Sequence, residues 1–260
     1  MTDLSPVSAA VGRLRPTFAG RLLQRNDAGY NEARRVHNGL IDKRPALIAQ
    51  CRGLADIVDA IQFARTQKLE VAVRGGGHNV AGRATIDGGV VIDMSLMKGI
   101  HVDPKARTAR AQGGLTWKDF NRETQLHGLA TTGGVVSTTG IAGLTLGGGL
   151  GWLMGKHALA LDNLISVDVV LADGRMLTAS KEDNADLFWA LRGGGGNFGV
   201  VTSFLFKLHP IPNLYAGPML WSLDRSAEVL RWYRDFITSA PDELNGFFAF
   251  LTVPAVAPFP

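Results

Sequence analysis

Cysteine is almost absent: Cys51 is the only one in 260 residues, which excludes an internal disulfide and a multi-thiolate metal centre and fits a reducing, cytoplasmic compartment. Charge of one sign is also missing. The 27 basic and 23 acidic residues leave a formal net charge of +4, and without a long basic block there is no footprint for nucleic acid. A secretory leader is not expected, because Asp3, Arg13 and Arg15 bracket only a short Val-Ser-Ala-Ala-Val stretch. The uncharged run from Gly128 to Gly155 is interrupted by glycine and threonine too often for a membrane span. The six histidines are dispersed with no H-E-x-x-H pattern, so no metal site is expected, and there is no G-x-x-x-x-G-K-[ST] phosphate loop.

Glycine is abundant instead, with 32 residues gathered largely into three clusters. In the first, Val71-Ala72-Val73 reads as a short buried strand running into Arg74-Gly75-Gly76-Gly77-His78-Asn79. Consecutive glycines allow successive backbone N–H groups to face an anion such as a diphosphate. The same stretch also fits a tight loop with a surface histidine, and both readings stand on these residues alone. The second cluster runs from Gly133 to Gly151, and the third from Arg192 to Gly199.

The remaining pattern alternates strands and helices. Ala46–Ala49 reads as a strand, Leu54 to about Gln67 as an amphipathic helix, and the strand at Val71–Val73 completes a βαβ-like unit. Strands are expected at 88–93, 100–102, 108–112, 165–171, 175–178 and 200–208, with helices at 184–191 and near 227–239. Thr116 caps a helix to about His127, with Trp117, Phe120 and Leu126 on its buried face. Trp152 and Trp189 read as packing residues, and Phe247–Val253 as a strand opening a further unit.

Gly194, Gly196 and Gly199 formally satisfy G-x-G-x-x-G, but a helix precedes them and a strand follows, the reverse of a nicotinamide-binding turn. Ser137, Thr138 and Thr139 lack an adjacent base and a G-x-S-x-G elbow, so they read as ligand or ring contacts and not as nucleophiles. His101, His127 and His209 read as solvated or backbone-bonded.

Taken together, Arg74 to Asn79, the Ser137 to Gly151 tract, Leu161-Asp162-Asn163 and Arg192 to Val201 resemble the flavoprotein superfamily of vanillyl-alcohol oxidase and p-cresol methylhydroxylase. Within it they are most similar to the berberine-bridge-enzyme-like FAD-linked oxidases, which include 6-hydroxynicotine and oligosaccharide oxidases. The resemblance implies an α+β fold. After an N-terminal segment, 1–40, it places a two-lobed FAD-binding domain of the p-cresol methylhydroxylase (PCMH) type over 41–212 and the beginning of an incomplete α+β substrate domain over 213–260.

The same resemblance implies FAD joined covalently through its 8α carbon to His78, with Gly75, Gly76, Gly77 and Asn79 lining the diphosphate and Arg74 among the cofactor-binding residues. Ser137, Gly140, Gly143, Gly147, Gly148 and Leu150 would contact the ribityl chain or phosphates, and Asn163, Asn197, Gly199 and Val201 the adenine end or the ring. Many relatives add a second link from a cysteine four residues before the glycine matching Gly140. Val136 stands there, so a single attachment is expected. Thr139 falls where the family has a residue over the flavin that influences oxygen access, which leaves oxidase and dehydrogenase both open.

The implied chemistry is hydride transfer from a small alcohol, sugar or amine to the flavin, with reoxidation by O2 to H2O2. No base for the substrate's proton is identifiable, and the selecting residues are expected after Pro210. A flavin dehydrogenase with another acceptor, and a truncated, non-catalytic FAD-binding remnant, are the alternatives. Neither a nucleic-acid nor a membrane partner is expected, and oligomeric state is not readable.

Overall fold

The computed structural model describes residues 5–211 and 213–252. Its first lobe comprises α1 (Ser5–Leu14), β1 (Arg21–Leu23), α2 (Tyr30–Ala33), β2 (Leu47–Gln50), α3 (Leu54–Thr66), β3 (Val71–Arg74) and β4 (Val90–Asp93). The strands form one sheet in the order β1-β2-β4-β3, parallel except for β1. Parallel strands are covered on both faces and read as unbroken apolar runs. Leu47-Ile48-Ala49 and Val90-Val91-Ile92 are such runs, and all six are buried. Helix α3 packs Ile57, Ala60, Ile61 and Ala64 inward at helical spacing. The expected strand-helix-strand unit is present, with β4 inserted between its two strands. Ala10 and Val11 of α1 and Leu22 of β1 join the same core, a contribution that the pattern-poor first 40 residues do not announce.

The second lobe follows with β5 (Ile100–Asp103), β6 (Thr108–Gln112), α4 (Trp117–Thr124), β7 (Leu129–Ala130), α5 (Ile141–Leu146), α6 (Met154–His157), β8 (Leu164–Val170), β9 (Met176–Ser180), α7 (Ala185–Leu191), β10 (Val200–Lys207) and β11 (His209–Pro210). A wholly antiparallel sheet, β5-β6-β10-β8-β9, packs Phe204 and Phe206 of β10 against Trp117 and Phe120 of α4. Val170 and Val200, at the end of the β8/β10 pair, join the core of the first lobe and link the two. Both lobes mix helix and sheet, as the α+β expectation requires.

Thr116 caps α4 in a reciprocal box: its hydroxyl accepts from Asp119 N at 3.4 Å, and Asp119 Oδ2 accepts from Thr116 N at 3.1 Å. A 3₁₀ turn carries the chain on to His127. Leu126 in that turn is exposed, contrary to expectation, because the tighter winding rotates it off the face that buries Trp117 and Phe120. Trp189 is 75% exposed and Trp152 is 46% exposed, so of the three tryptophans considered only Trp117 lies in the core.

Beyond β11, α8 (Ser226–Ile237) forms where a helix is expected. The strand expected at Phe247–Val253 is not formed over 247–252, and Val253 lies outside the described residues. Alternating aromatics make a strand only where a neighbouring strand takes up the backbone hydrogen bonds, and none adjoins this segment among the described residues. No described helix is long and apolar enough to cross a membrane.

Candidate functional site

Strand β3 ends at Arg74, whose side chain turns inward. Arg74 and Asp93 are in register across the β3/β4 pair, and Arg74 Nη2 donates to Asp93 Oδ2 at 2.5 Å. Nη1 donates to the carbonyls of Ala33 and, at 3.3 Å, of Arg35. Asp93 is fully buried and also accepts from Gln50 Nε2 at 2.9 Å and from Ser95 N at 3.1 Å and Oγ at 3.0 Å. A satisfied buried pair of this kind fixes geometry, since removing one partner strands a charge in the interior. The Arg74 guanidinium binds the 33–35 segment to the base of the glycine turn, and Arg74 also lines the cleft beside that turn.

Past Arg74 the chain rises through Gly75 and Gly76, turns at Gly77 (φ +71) and presents His78. Thr138 Oγ1 lies 3.0 Å from His78 Nε2, and Thr139 Oγ1 lies 3.3 Å from Nδ1. The ring of His37 stacks on one face at 4.0 Å between centroids and 12° between planes. Burial, and then His37, hold the His78 imidazole below its ordinary pKa, which favours the neutral ring. The hydroxyls between glycines bond a ring here, and the ring is the histidine's own.

The first two glycine clusters interlock. A Cβ on Gly76 would lie 2.3 Å from Gly140 N, and one on Gly140 would lie 2.3 Å from Gly76 N. Backbones this close admit only glycine on both sides. The second loop is held against the first by the start of α4, where Lys118 N donates to Ser137 O at 2.8 Å and Trp117 N to Thr139 O at 2.9 Å. The Thr116 cap therefore sets α4, α4 sets the 137–140 loop, and that loop sets His78. Between the lobes' glycine turns and α2 opens a cleft of about 450 Å³, whose lining includes Arg74, Gly75, Gly76, Gly77, His78, His37, Arg35, Ser95 and Thr138.

The other expected residues fall into two groups. Gly143 on α5 faces open space. Gly147 and Gly148 close α5, and the Leu146 carbonyl there accepts the amides of Gly193 and Gly195, each at 3.0 Å, docking the third cluster onto the second. Val201 approaches the first loop through Gly113, where a Cβ would lie 2.8 Å from Val201 O, while one on Gly75 would lie 3.0 Å from Gly113 O.

The asparagines, by contrast, shape their own loops. Asn79 Oδ1 accepts from Arg83 N at 3.0 Å, and Asn197 Nδ2 donates to Gly194 O at 2.8 Å. Asn163 is buried. It donates to the carbonyls of His157 at 2.8 Å and Leu159 at 2.9 Å, and its Oδ1 lies 2.6 Å from His209 Nε2. Gly199 faces the Val170 carbonyl, and Ser137 and Leu150 are exposed.

His37, Arg35, Ser95 and Gly113 carry no local signal of their role. Only the Gly113-Gly114 pair after β6 hints at a close backbone approach.

This arrangement fits a long anionic cofactor. The tract from Gly128 to Gly155 carries no charged side chain to repel a diphosphate. Within it the hydroxyls of Thr131, Thr132 and Thr145 are buried without a hydrogen-bond partner, as is the indole N–H of Trp117, whose ring packs on Gly133 and Gly134. The family model described as an FAD binding domain matches residues 45–180, just over half of the chain. The chain belongs to the FAD binding domain family.

This FAD-binding chain is 40% identical over 216 residues to the FAD-linked oxidoreductase pgmH of Aspergillus terreus, an alignment that covers 82% of the chain and 43% of the relative. It superposes on the crystal structure of 6-hydroxy-D-nicotine oxidase from Arthrobacter nicotinovorans with a TM-score of 0.73 at 38% identity, covering 74% of the chain and 43% of that protein. Glucooligosaccharide oxidase from Acremonium strictum, described as carrying a 6-S-cysteinyl, 8α-N1-histidyl FAD, matches with a TM-score of 0.71 at 31% identity over 76% of the chain and 42% of that protein. The chain thus spans less than half the length of these relatives. They bear out the superfamily and branch that the motifs resemble, the PCMH-type fold and FAD as the cofactor.

Proposed function

We propose that this chain forms the FAD-binding part of an oxidase that acts on a small alcohol, sugar or amine, with FAD attached once, through His78, and dioxygen as electron acceptor. The observation that carries the proposal is the setting of His78. Its imidazole stands at the end of a glycine turn, hydrogen-bonded to a second glycine loop 60 residues away in sequence. When bound, the flavin supplies the redox chemistry, taking a hydride from a substrate C–H bond and passing the electrons to dioxygen to give hydrogen peroxide.

The chain's residues bind and orient. Gly75, Gly76, Gly77 and Gly140 supply a backbone surface that a diphosphate approaches without meeting a side chain. The Arg74–Asp93 pair fixes the base of that surface. His78 is held at both ring nitrogens by Thr138 and Thr139, and the nitrogen that accepts from a threonine hydroxyl would give up that hydrogen bond to bond the flavin 8α carbon.

Two features of the chain support single attachment. Val136 is exposed, and by the resemblance it stands where many relatives would carry the second, cysteinyl link. Cys51 is buried in the first lobe, and burial, then Asp56 and Asp93, push its thiol well above the ordinary range. The glucooligosaccharide oxidase match carries both links, so the two chains differ at this point.

The test is flavin fluorescence in a denaturing gel after acid treatment of the FAD-supplied protein. A wild-type band that disappears in His78→Ala supports the proposal. A band retained in His78→Ala, or none in wild type, contradicts it. Peroxide release across a panel of alcohols, sugars and cyclic amines then assigns the substrate class.

A further inference from the structure

Three side chains hold the His78 ring, and the third has no part in binding expected from the motifs. Thr138 and Thr139 take its two nitrogens at 3.0 and 3.3 Å, while His37 lies flat on one face with 4.0 Å between ring centroids. His37 does not drift there by chance of rotamer. Its backbone N–H donates to Gly77 O at 3.0 Å, so the residue is tied to the turn that presents His78, and Arg74 fixes Ala33 and Arg35 just upstream.

We propose that His37 is a positioning residue for His78: the stacked ring fixes the plane of the His78 imidazole and disfavours a second, cationic proton on His78, so that one of its ring nitrogens stays unprotonated. The inference rests on the reading of His78 as the attachment residue. Two imidazolium ions at this separation repel each other, and the parallel stack offers no N–H to bridge them. A phenyl ring in place of His37 would keep the plane but not the bias on the proton. The other charged groups around the cleft are Glu32, Arg35 and the Arg74–Asp93 pair, the last neutralised internally. The depressed pKa of His78, caused by burial and then by His37, agrees with this arrangement.

The experiment compares wild type, His37→Phe and His37→Ala as full chains. The His78 ring is titrated by NMR before FAD is supplied, and the rate of acid-stable FAD incorporation is measured afterwards. In both variants the His78 midpoint is expected to rise toward the ordinary imidazole value of about 6.5. Incorporation is expected to slow about tenfold in His37→Ala and less in His37→Phe, the size typical of losing an orienting neighbour. Unchanged His209 resonances certify the fold. A His78 midpoint that is unchanged or falls in both variants overturns the role of His37. A wild type with no acid-stable flavin, in which the midpoint still rises in the variants, refutes attachment at His78 while upholding His37 as the residue that sets its proton.

Discussion

Gly76 and Gly196 each sit inside a run of glycines, but a Cβ on Gly76 would lie 2.3 Å from the backbone of Gly140, whereas one on Gly196 would meet nothing within 4 Å. The first run is the point where two loops interlock beneath His78. The third run turns the chain through positive φ at Gly193 (+114) and Gly195 (+71) in open surroundings. Close approach at Gly76 joins two loops that are distant in sequence, whereas the close approach in the third run, at Gly194, is to Ala190 O only four residues back, and each run also turns through positive φ, at Gly77 in the first and at Gly193 and Gly195 in the third.

The largest effect is expected beneath the first loop. Arg74→Met leaves Asp93 buried and unpaired and should cost about 3–5 kcal/mol, read as a drop in denaturant midpoint. Gly76→Ala comes next. Overpacking against Gly140 should cost about 3 kcal/mol and lower the melting temperature by about 6–12 °C. A Gly76→Ala protein as stable as wild type would break the contrast between the two runs.

Ala158 sharpens the contrast from the other side, because it adopts φ +55, ψ −162, a conformation that suits glycine, with a methyl group present. Ala158→Gly should therefore stabilise the chain by about 1 kcal/mol in thermal melts.

Beside it, His157 and His209 stack at 3.8 Å. Burial, then His157 and Lys207, push His209 down to about 4, and burial, then Lys156 and Lys207 against an opposing Glu243, lower His157. In the unfolded chain both imidazoles take up protons near 6.5. Their contribution to stability is thus complete above that pH and is lost as pH falls from about 6.5 toward 4. Melting temperature should fall across that window, and His209→Gln should flatten the fall. The smallest effect belongs to Gly196→Ala, which should change stability by less than about 0.5 kcal/mol.

Long periodic elements were legible in the sequence. Helix α3, the buried run of β4 and the alternation of β10 each carry their period over enough residues to be read, and the three glycine clusters mark the loops that meet around the site. What escaped is short or depends on distant partners. Helix α5 has only 6 residues and lies inside a glycine tract that hides its period, and β1 has 3. The buried pairing of Arg74 with Asp93 has no local signal, because Asp93 comes into register only on the next strand. His37 has no signal at all, because its partner lies 41 positions along the chain and the two rings meet only through the fold. Trp152 and Trp189 show the limit of hydrophobicity as a guide, since a tryptophan is buried only where a core has formed beside it.

The central claim, that the loop interlock presents His78 as the single point of flavin attachment, is tested most directly by peptide mass mapping of the FAD-supplied protein. The account predicts one flavin adduct, on the peptide containing His78, with Cys51 unmodified. An adduct on any other residue, or a protein that binds FAD tightly yet yields no modified peptide, would contradict it.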